Sequence, residues 1–243
     1  MLLAAPDGYT LLLVNPANAI NATLYDNLKF NFLRDIMPMA GIARDAFLIV
    51  LNPAVPARTL PEFIAYARVN PGRINMASAG IGSGNHVFGE LFKSMTGVNL
   101  VHVPYRGAAP ALVDLLGGKT QVIFAPASIL IEHIRAGRLR ALGVLTATRL
   151  PQLPDIPAVA EFVPGYEASY WSGLGAPRNT PTEIVDSLNR EVNAALADPT
   201  IKARLEALDA SAMPGSPADF GKLIADETER WGKVIHSTGI KAE

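Results

Sequence analysis

One stretch, residues 74–95 (INMASAGIGSGNHVFGELFKSM), limits what this chain can fold into more than any other. Ile74–Ala77 predicts a short strand, and the small residues Ser78, Ala79, Gly80, Gly82, Ser83 and Gly84 then leave almost no side chain on the backbone. A helix follows, with Val87, Phe88, Leu91, Phe92 and Met95 spaced to form one apolar face. A glycine-rich turn feeding a helix leaves backbone N–H groups unpaired at the positive end of the helix dipole. With the Ser78 and Ser83 hydroxyls, those groups predict a receptor for an anionic group such as a carboxylate. A tight strand-to-helix connection is the plainer reading of the same residues. A dinucleotide fingerprint fails: Gly80 and Gly82 fit G-x-G, but Asn85 takes the third glycine position. About twenty residues further on the chain reads Val101-His102-Val103-Pro104, with no acidic residue for a ribose.

Composition narrows the function classes. In 243 residues, 49% are hydrophobic and 18% charged, as in a folded chain with a substantial core. The formal net charge of −1 gives no electrostatic reason to expect nucleic acid or an anionic membrane as partner. No cysteine is present, which excludes disulfides, a thiol nucleophile and Cys-ligated zinc. The longest apolar run, Ala46–Leu51, is far short of the ~20 residues that cross a bilayer. Residues 1–5 have neither the charge nor the length of a signal peptide.

In chain order, Pro6-Asp7-Gly8-Tyr9 predicts a turn and Thr10–Val14 a strand, followed by the polar break Asn15-Pro16-Ala17-Asn18. A short helix over Ala19–Leu24 and a loop through Asn31–Asp35 are expected next, then a doubly buried strand at Ala46–Leu51. Asn52-Pro53-Ala54-Val55-Pro56 is a candidate hinge. Thr59, with Pro61 and Glu62 behind it, caps a helix running to Val69. Strands at Val101–Tyr105, Gln121–Phe124 and Leu139–Leu145 alternate with helices carrying Leu112, Val113, Leu115 and Leu116, and then Ser128–Ala136. That rhythm predicts a mostly parallel sheet with helices on both faces. After a proline-rich loop, Tyr170–Ala176 reads as a strand. Three helices close the chain, started by a Thr180–Glu183 capping box, by Asp198-Pro199 and by Ser216-Pro217-Ala218-Asp219.

Catalytic groups do not assemble in the sequence. His102, His133 and His236 lack a second metal ligand at helical or strand spacing, so no metal site is expected. His86, in the first turn behind the glycine loop, either reaches a bound anion or hydrogen-bonds the loop. Gly117-Gly118-Lys119-Thr120 lacks the upstream glycine of a P-loop and reads as a helix C-cap. No G-x-S-x-G elbow is present, and no serine has an evident base partner.

Five ordered motifs resemble one family. Pro6–Leu11, the Ser78–Ser83 loop, Val101–Gly107 (VHVPYRG), Gly137–Leu142 (GRLRAL) and Trp171–Leu174 with Ala176-Pro177 are similar to the tripartite tricarboxylate transporter substrate-binding proteins, the Bug (TctC-like) family. The resemblance spans essentially the whole chain. It implies an α/β, type II periplasmic-binding-protein-like fold with two α/β lobes joined by a hinge: lobe 1 from residues 1–48 and 171–243, lobe 2 from residues 49–170. It also implies a periplasmic solute-binding protein, not an enzyme, that needs no cofactor and delivers a small organic carboxylate to a membrane permease. The carried-over ligand residues are Ser78, Ala79, Gly80, Gly82 and Ser83, with His86 beside them, Tyr105 and Arg106 on the next loop, Ala125, and Asn15 and Asn18 on the first lobe. Arg106 is either a charge partner for the carboxylate or a solvated surface residue. Ala125-Pro126-Ala127, where many relatives carry a polar side chain, favours a ligand without an amino group. Relatives begin with a signal peptide and a further strand and loop, so the first lobe is expected to be incomplete here. A soluble α/β enzyme or a sensory module acting on a carboxylated metabolite is the alternative reading.

Overall fold

The computed structural model describes residues 3–151 and 153–242, which form two compact units, residues 3–45 with 170–242 and residues 46–169. The first unit opens with β1 (Leu12–Val14), α1 (Pro16–Leu24), the single turn α2 (Phe32–Asp35) and the ten-residue β2 (Ile36–Asp45). Asn31 to Asp35 is therefore a helical turn rather than a loop: the Asn31 side chain accepts from the Arg34 N–H at 2.9 Å, and Asp35 Oδ2 accepts from the Asn31 N–H at 2.9 Å. β2 escapes sequence reading because Pro38 and Gly41 interrupt its pattern. The chain absorbs both with register shifts between Pro38 and Ala40 and between Gly41 and Ala43.

The second unit contains β3 (Phe47–Leu51), α3 (Leu60–Val69), β4 (Asn75–Ser78), α4 (Gly84–Thr96), β5 (Val101–Pro104), α5 (Ala108–Leu116), β6 (Val122–Pro126), α6 (Ala127–Arg135) and β7 (Arg140–Val144). Its sheet runs β5-β4-β6-β3-β7. β4 is parallel to β5 and β6, whereas β3 pairs antiparallel with both β6 and β7. The sheet is thus mixed rather than mostly parallel. β3 arrives from the first unit without a preceding helix, so the right-handed crossover that makes strands parallel does not apply to it. All five β3 residues are buried. Asn52–Pro56 lies inside this unit, tied down by the Asn52 N–H on Gln121 O at 3.0 Å and Asn52 Nδ2 on Leu115 O at 2.8 Å. The chain leaves the first unit earlier, at Asp45/Ala46.

Strand alternation assigns the two faces. Met76, Ser78 and Phe124 point toward α4, where Phe47, Phe63, Phe88, Phe92, Phe124 and Tyr166 build an aromatic core; Phe47 and Phe88 meet edge to face at 5.3 Å. Ala77, Ile123 and Ala125 point the other way, into a cluster with Leu115, Leu130 and Ile131 of α5 and α6. Of the expected α4 stripe, Met95 is 39% exposed. It lies in the last turn, where the helix ends on left-handed Gly97.

The chain returns to the first unit with β8 (Tyr170–Pro177), α7 (Thr182–Ala197), α8 (Pro199–Ala207), β9 (Ala210–Ala212) and α9 (Pro217–Thr238). The sheet order is β1-β8-β2-β9, antiparallel throughout. Ser216 and Asp219 form a capping box at the expected start of α9, and Asp198 caps α8. Thr180–Glu183 is not a capping box. Thr180 is buried and its hydroxyl donates to Pro177 O at 2.7 Å, so α7 starts after Pro181 without a side-chain cap. α9 carries Phe220, Ile224 and Trp231 inward, and its Glu227 accepts from both tryptophans, Trp231 Nε1 at 2.8 Å and Trp171 Nε1 at 3.3 Å.

Candidate functional site: the loop between β4 and α4

The Ala79–Ser83 loop leaves the sheet at the carboxyl end of β4, beside the carboxyl end of its parallel neighbour β5, where open α/β sheets place ligands. Gly80 (φ 132°) and Gly82 (φ 74°) take backbone conformations that only glycine adopts readily. A Cβ at Gly80 would also approach Tyr105 O to 3.3 Å. The loop is pinned to the next one by the Tyr105 N–H on Ser78 O (3.0 Å) and the Gly107 N–H on Ala79 O (3.1 Å).

The donors divide differently from the sequence expectation. The Gly80 N–H bonds Ser78 Oγ (3.1 Å), the Gly82 N–H bonds His86 Nδ1 (3.3 Å), and the Ser83 N–H bonds Gly80 O (3.2 Å). Both serine hydroxyls are committed too. Ser78 Oγ lies 2.6 Å from His102 Nε2 and is fully buried, while Ser83 Oγ donates to Gly80 O (2.6 Å) and accepts from the His86 N–H as N-cap of α4. Ser78 and Ser83 are therefore the frame of the loop rather than its donors. Among residues 79–85, the amides with no protein acceptor are Ala79, Ile81, Gly84 and Asn85, the last two being the unpaired first amides of α4.

Two histidines support this frame. The His86 and His102 rings stack with centroids 3.8 Å apart and planes within 12°. Burial first, then the neighbouring His102 and Lys93, push the His86 imidazole down to about 3. Burial and then Lys93 push His102 down to about 4. Both rings are neutral at pH 7, and since His86 Nδ1 accepts from Gly82, its proton sits on Nε2. Glu90 Oε1, 3.8 Å from His86 Nε2, is accordingly the ion-pair partner of Lys93 (2.7 Å) and not of a charged histidine.

The remaining expected residues fall in several places. Tyr105 turns back to its own unit, its hydroxyl donating to Asp114 Oδ2 at 2.9 Å. Arg106 is exposed at the start of the loop before α5. Ala125 cannot face a ligand: it is fully buried, because alternation along β6 turns it to the α5–α6 side. The argument from Ala125 against an amino-bearing ligand falls with it. Asn15 and Asn18 belong to the first unit and cap α1 reciprocally, Asn15 Oδ1 accepting from Ala17 and Asn18 Oδ1 from Asn15, both at 2.9 Å. Their side-chain NH2 groups have no acceptor among the described residues. Sequence reasoning missed Asn85, whose Nδ2 bonds Phe124 O at 2.7 Å and ties the start of α4 to β6. Its occupation of a fingerprint glycine position was the available signal. Among the described residues no group of three or more His, Asp or Glu side chains is placed to hold a metal ion.

An α/β fold in two units, with a loop of unpaired amides at the carboxyl end of parallel strands, is one that periplasmic binding proteins share. The solved neighbours agree: R. palustris Rpa4515 with adipate (TM-score 0.93, 37% identity, 99% of this chain and 81% of that one) and the periplasmic binding protein BugD (0.92, 29%, 100% and 82%). MatC (Rpa3494) from Rhodopseudomonas palustris with bound malate superposes at 0.89 with 30% identity, covering 96% of this chain and 81% of that one. By sequence the chain is 34% identical over 241 residues to Protein BugT of Bordetella pertussis, 98% of this chain and 74% of that protein. The model of the tripartite tricarboxylate transporter family receptor, TctC, matches residues 1–240, and the chain belongs to that family. The family and its structural neighbours are solute-binding proteins, not enzymes.

Proposed function

We propose that this protein captures a small organic dicarboxylate in the periplasm and presents it to the permease of a tripartite tricarboxylate-type transporter. The observation that carries the reading is the set of unpaired amides at Ala79, Ile81, Gly84 and Asn85, in a family whose solved relatives hold adipate and malate. Amide dipoles at a helix start stabilise a carboxylate without a neutralising cation, because they are already oriented and need no reorganisation. The side chains framing the loop are neutral at pH 7: two hydroxyls and two uncharged imidazoles.

The test is thermal stabilisation and calorimetry with adipate, malate and the uncharged diamide of adipate. A ligand that binds only the folded form stabilises by mass action, about 2.7 kcal/mol at a hundredfold excess over Kd. Stabilisation by 10 mM of either dicarboxylate, none by the diamide, and an unchanged ligand after prolonged incubation are expected. No response to any dicarboxylate, or an equal response to the diamide, refutes the proposal.

A further inference from the structure

We propose that the stacked pair His86–His102 is the positioning device of the loop: its two rings hold the Gly80 and Gly82 amides inward, which leaves the Ala79 and Ile81 amides for the ligand, and it lets go when His86 takes up a proton. As an account of ligand affinity it rests on the carboxylate reading above; as an account of the loop it does not. His86 holds the Gly82 amide directly at 3.3 Å, and His102 holds Ser78 Oγ at 2.6 Å, which in turn accepts from the Gly80 amide at 3.1 Å. The two anchored amides flank Ile81, so the loop's shape at this residue is fixed from both sides.

The two anchors act as one because the rings are in face-to-face contact at 3.8 Å. Moving either ring shifts the surface against which the other is packed. The chain brings them together from α4 and β5, since Met76 of β4 pairs with His102 and Ser78 lies on the same face two residues on. The titratable groups facing the pair are Glu90 and Lys93 of α4, already bonded to each other, together with the two rings themselves. Ser78 is the group met on β4.

Protonation breaks the arrangement for two reasons. A protonated His86 carries hydrogen on Nδ1, where it faces the Gly82 N–H donor to donor. A second charge on a ring stacked at this distance is repelled by the first. Burial keeps both rings uncharged through the neutral range, so the loop is set under ordinary conditions and is released only in strong acid.

The experiment is backbone amide exchange by NMR on wild type, His86→Phe and His102→Phe, which keep a stacked ring, and His102→Gln, which restores a partner for Ser78. Adipate titration accompanies it at pH 7.5, and wild type is followed from pH 6 to pH 3. Protection of Gly82 is expected to fall at least tenfold in His86→Phe, that of Gly80 in His102→Phe, and His102→Gln is expected to recover most of it. In wild type both protections are expected to vanish together as the histidine ring signals titrate while the β3 amides stay protected, and loss of β3 protection at the same pH would mean unfolding and overturn the proposal. Adipate affinity is expected to drop about tenfold in the Phe variants and not in His102→Gln. If the Phe variants do not fold, the wild-type titration and His102→Gln decide alone. Unchanged protection of Gly80 and Gly82, or loss of protection with affinity intact, overturns the proposal. Wild type that binds no adipate but loses amide protection as described defeats the carboxylate reading and leaves the positioning role standing.

Discussion

Acid should unfold the second unit steeply, and the same two histidines set the slope. In an unfolded chain an imidazole titrates near 6.5. In the folded protein burial holds His86 at about 3 and His102 at about 4. The folded values lie below the unfolded ones, so between pH 6.5 and 4 the unfolded chain takes up two protons that the native state refuses. The stabilisation is complete above pH 6.5 and is lost as pH falls toward the folded values. Each proton is worth at most about 1.4 kcal/mol per pH unit, so the pair contributes roughly 2.5 kcal/mol over the unit from pH 6 to pH 5. Partial exposure of His102 makes this a ceiling. Urea unfolding followed by far-UV circular dichroism at pH 7.5, 6, 5.5 and 5 measures it. His86→Phe and His102→Phe should each remove about half of the slope. Equal pH slopes in wild type and in both variants over pH 6 to 5 would refute the reasoning.

Two further outcomes concern the first unit. Glu227→Ala strands two buried indole N–H groups and should cost about 2–4 kcal/mol, against about 1 kcal/mol for Glu227→Gln, which keeps an acceptor; equal losses in urea titrations would contradict this. Gly173→Ala places a Cβ 2.5 Å from Ala40 O and against the Phe220 ring, so a loss of about 2–3 kcal/mol is expected, and a variant as stable as wild type would show that β8 has room to move.

The candidate site was legible in its backbone and not in its partners. Gly80 and Gly82 mark where only glycine fits, and Ser83 marks where a helix begins; both are local facts, and both hold. Which amides stay free was not local. That depends on His102, 24 residues beyond Ser78 and brought beside it by the β4–β5 pairing. Composition cannot distinguish a serine that meets a ligand from one that holds a loop, and here both hydroxyls bond the loop and its frame. Ala125 failed similarly: its place at the end of a strand was readable, but the face it takes is set by the register of β6 between β4 and β3.

By itself the sequence determined the longer helices with the starts at Thr59, Asp198 and Ser216, the short strands of the second unit and the glycine turn. Each is a competition among a few neighbouring residues over hydrogen bonds and backbone freedom. Tertiary structure alone decided that β3 runs against its neighbours, that β2 exists despite Pro38 and Gly41, and that one carboxylate, Glu227, serves two indoles. Those outcomes are contests between segments far apart in the chain. They are settled by which pairing buries more apolar surface and leaves fewer polar groups without partners.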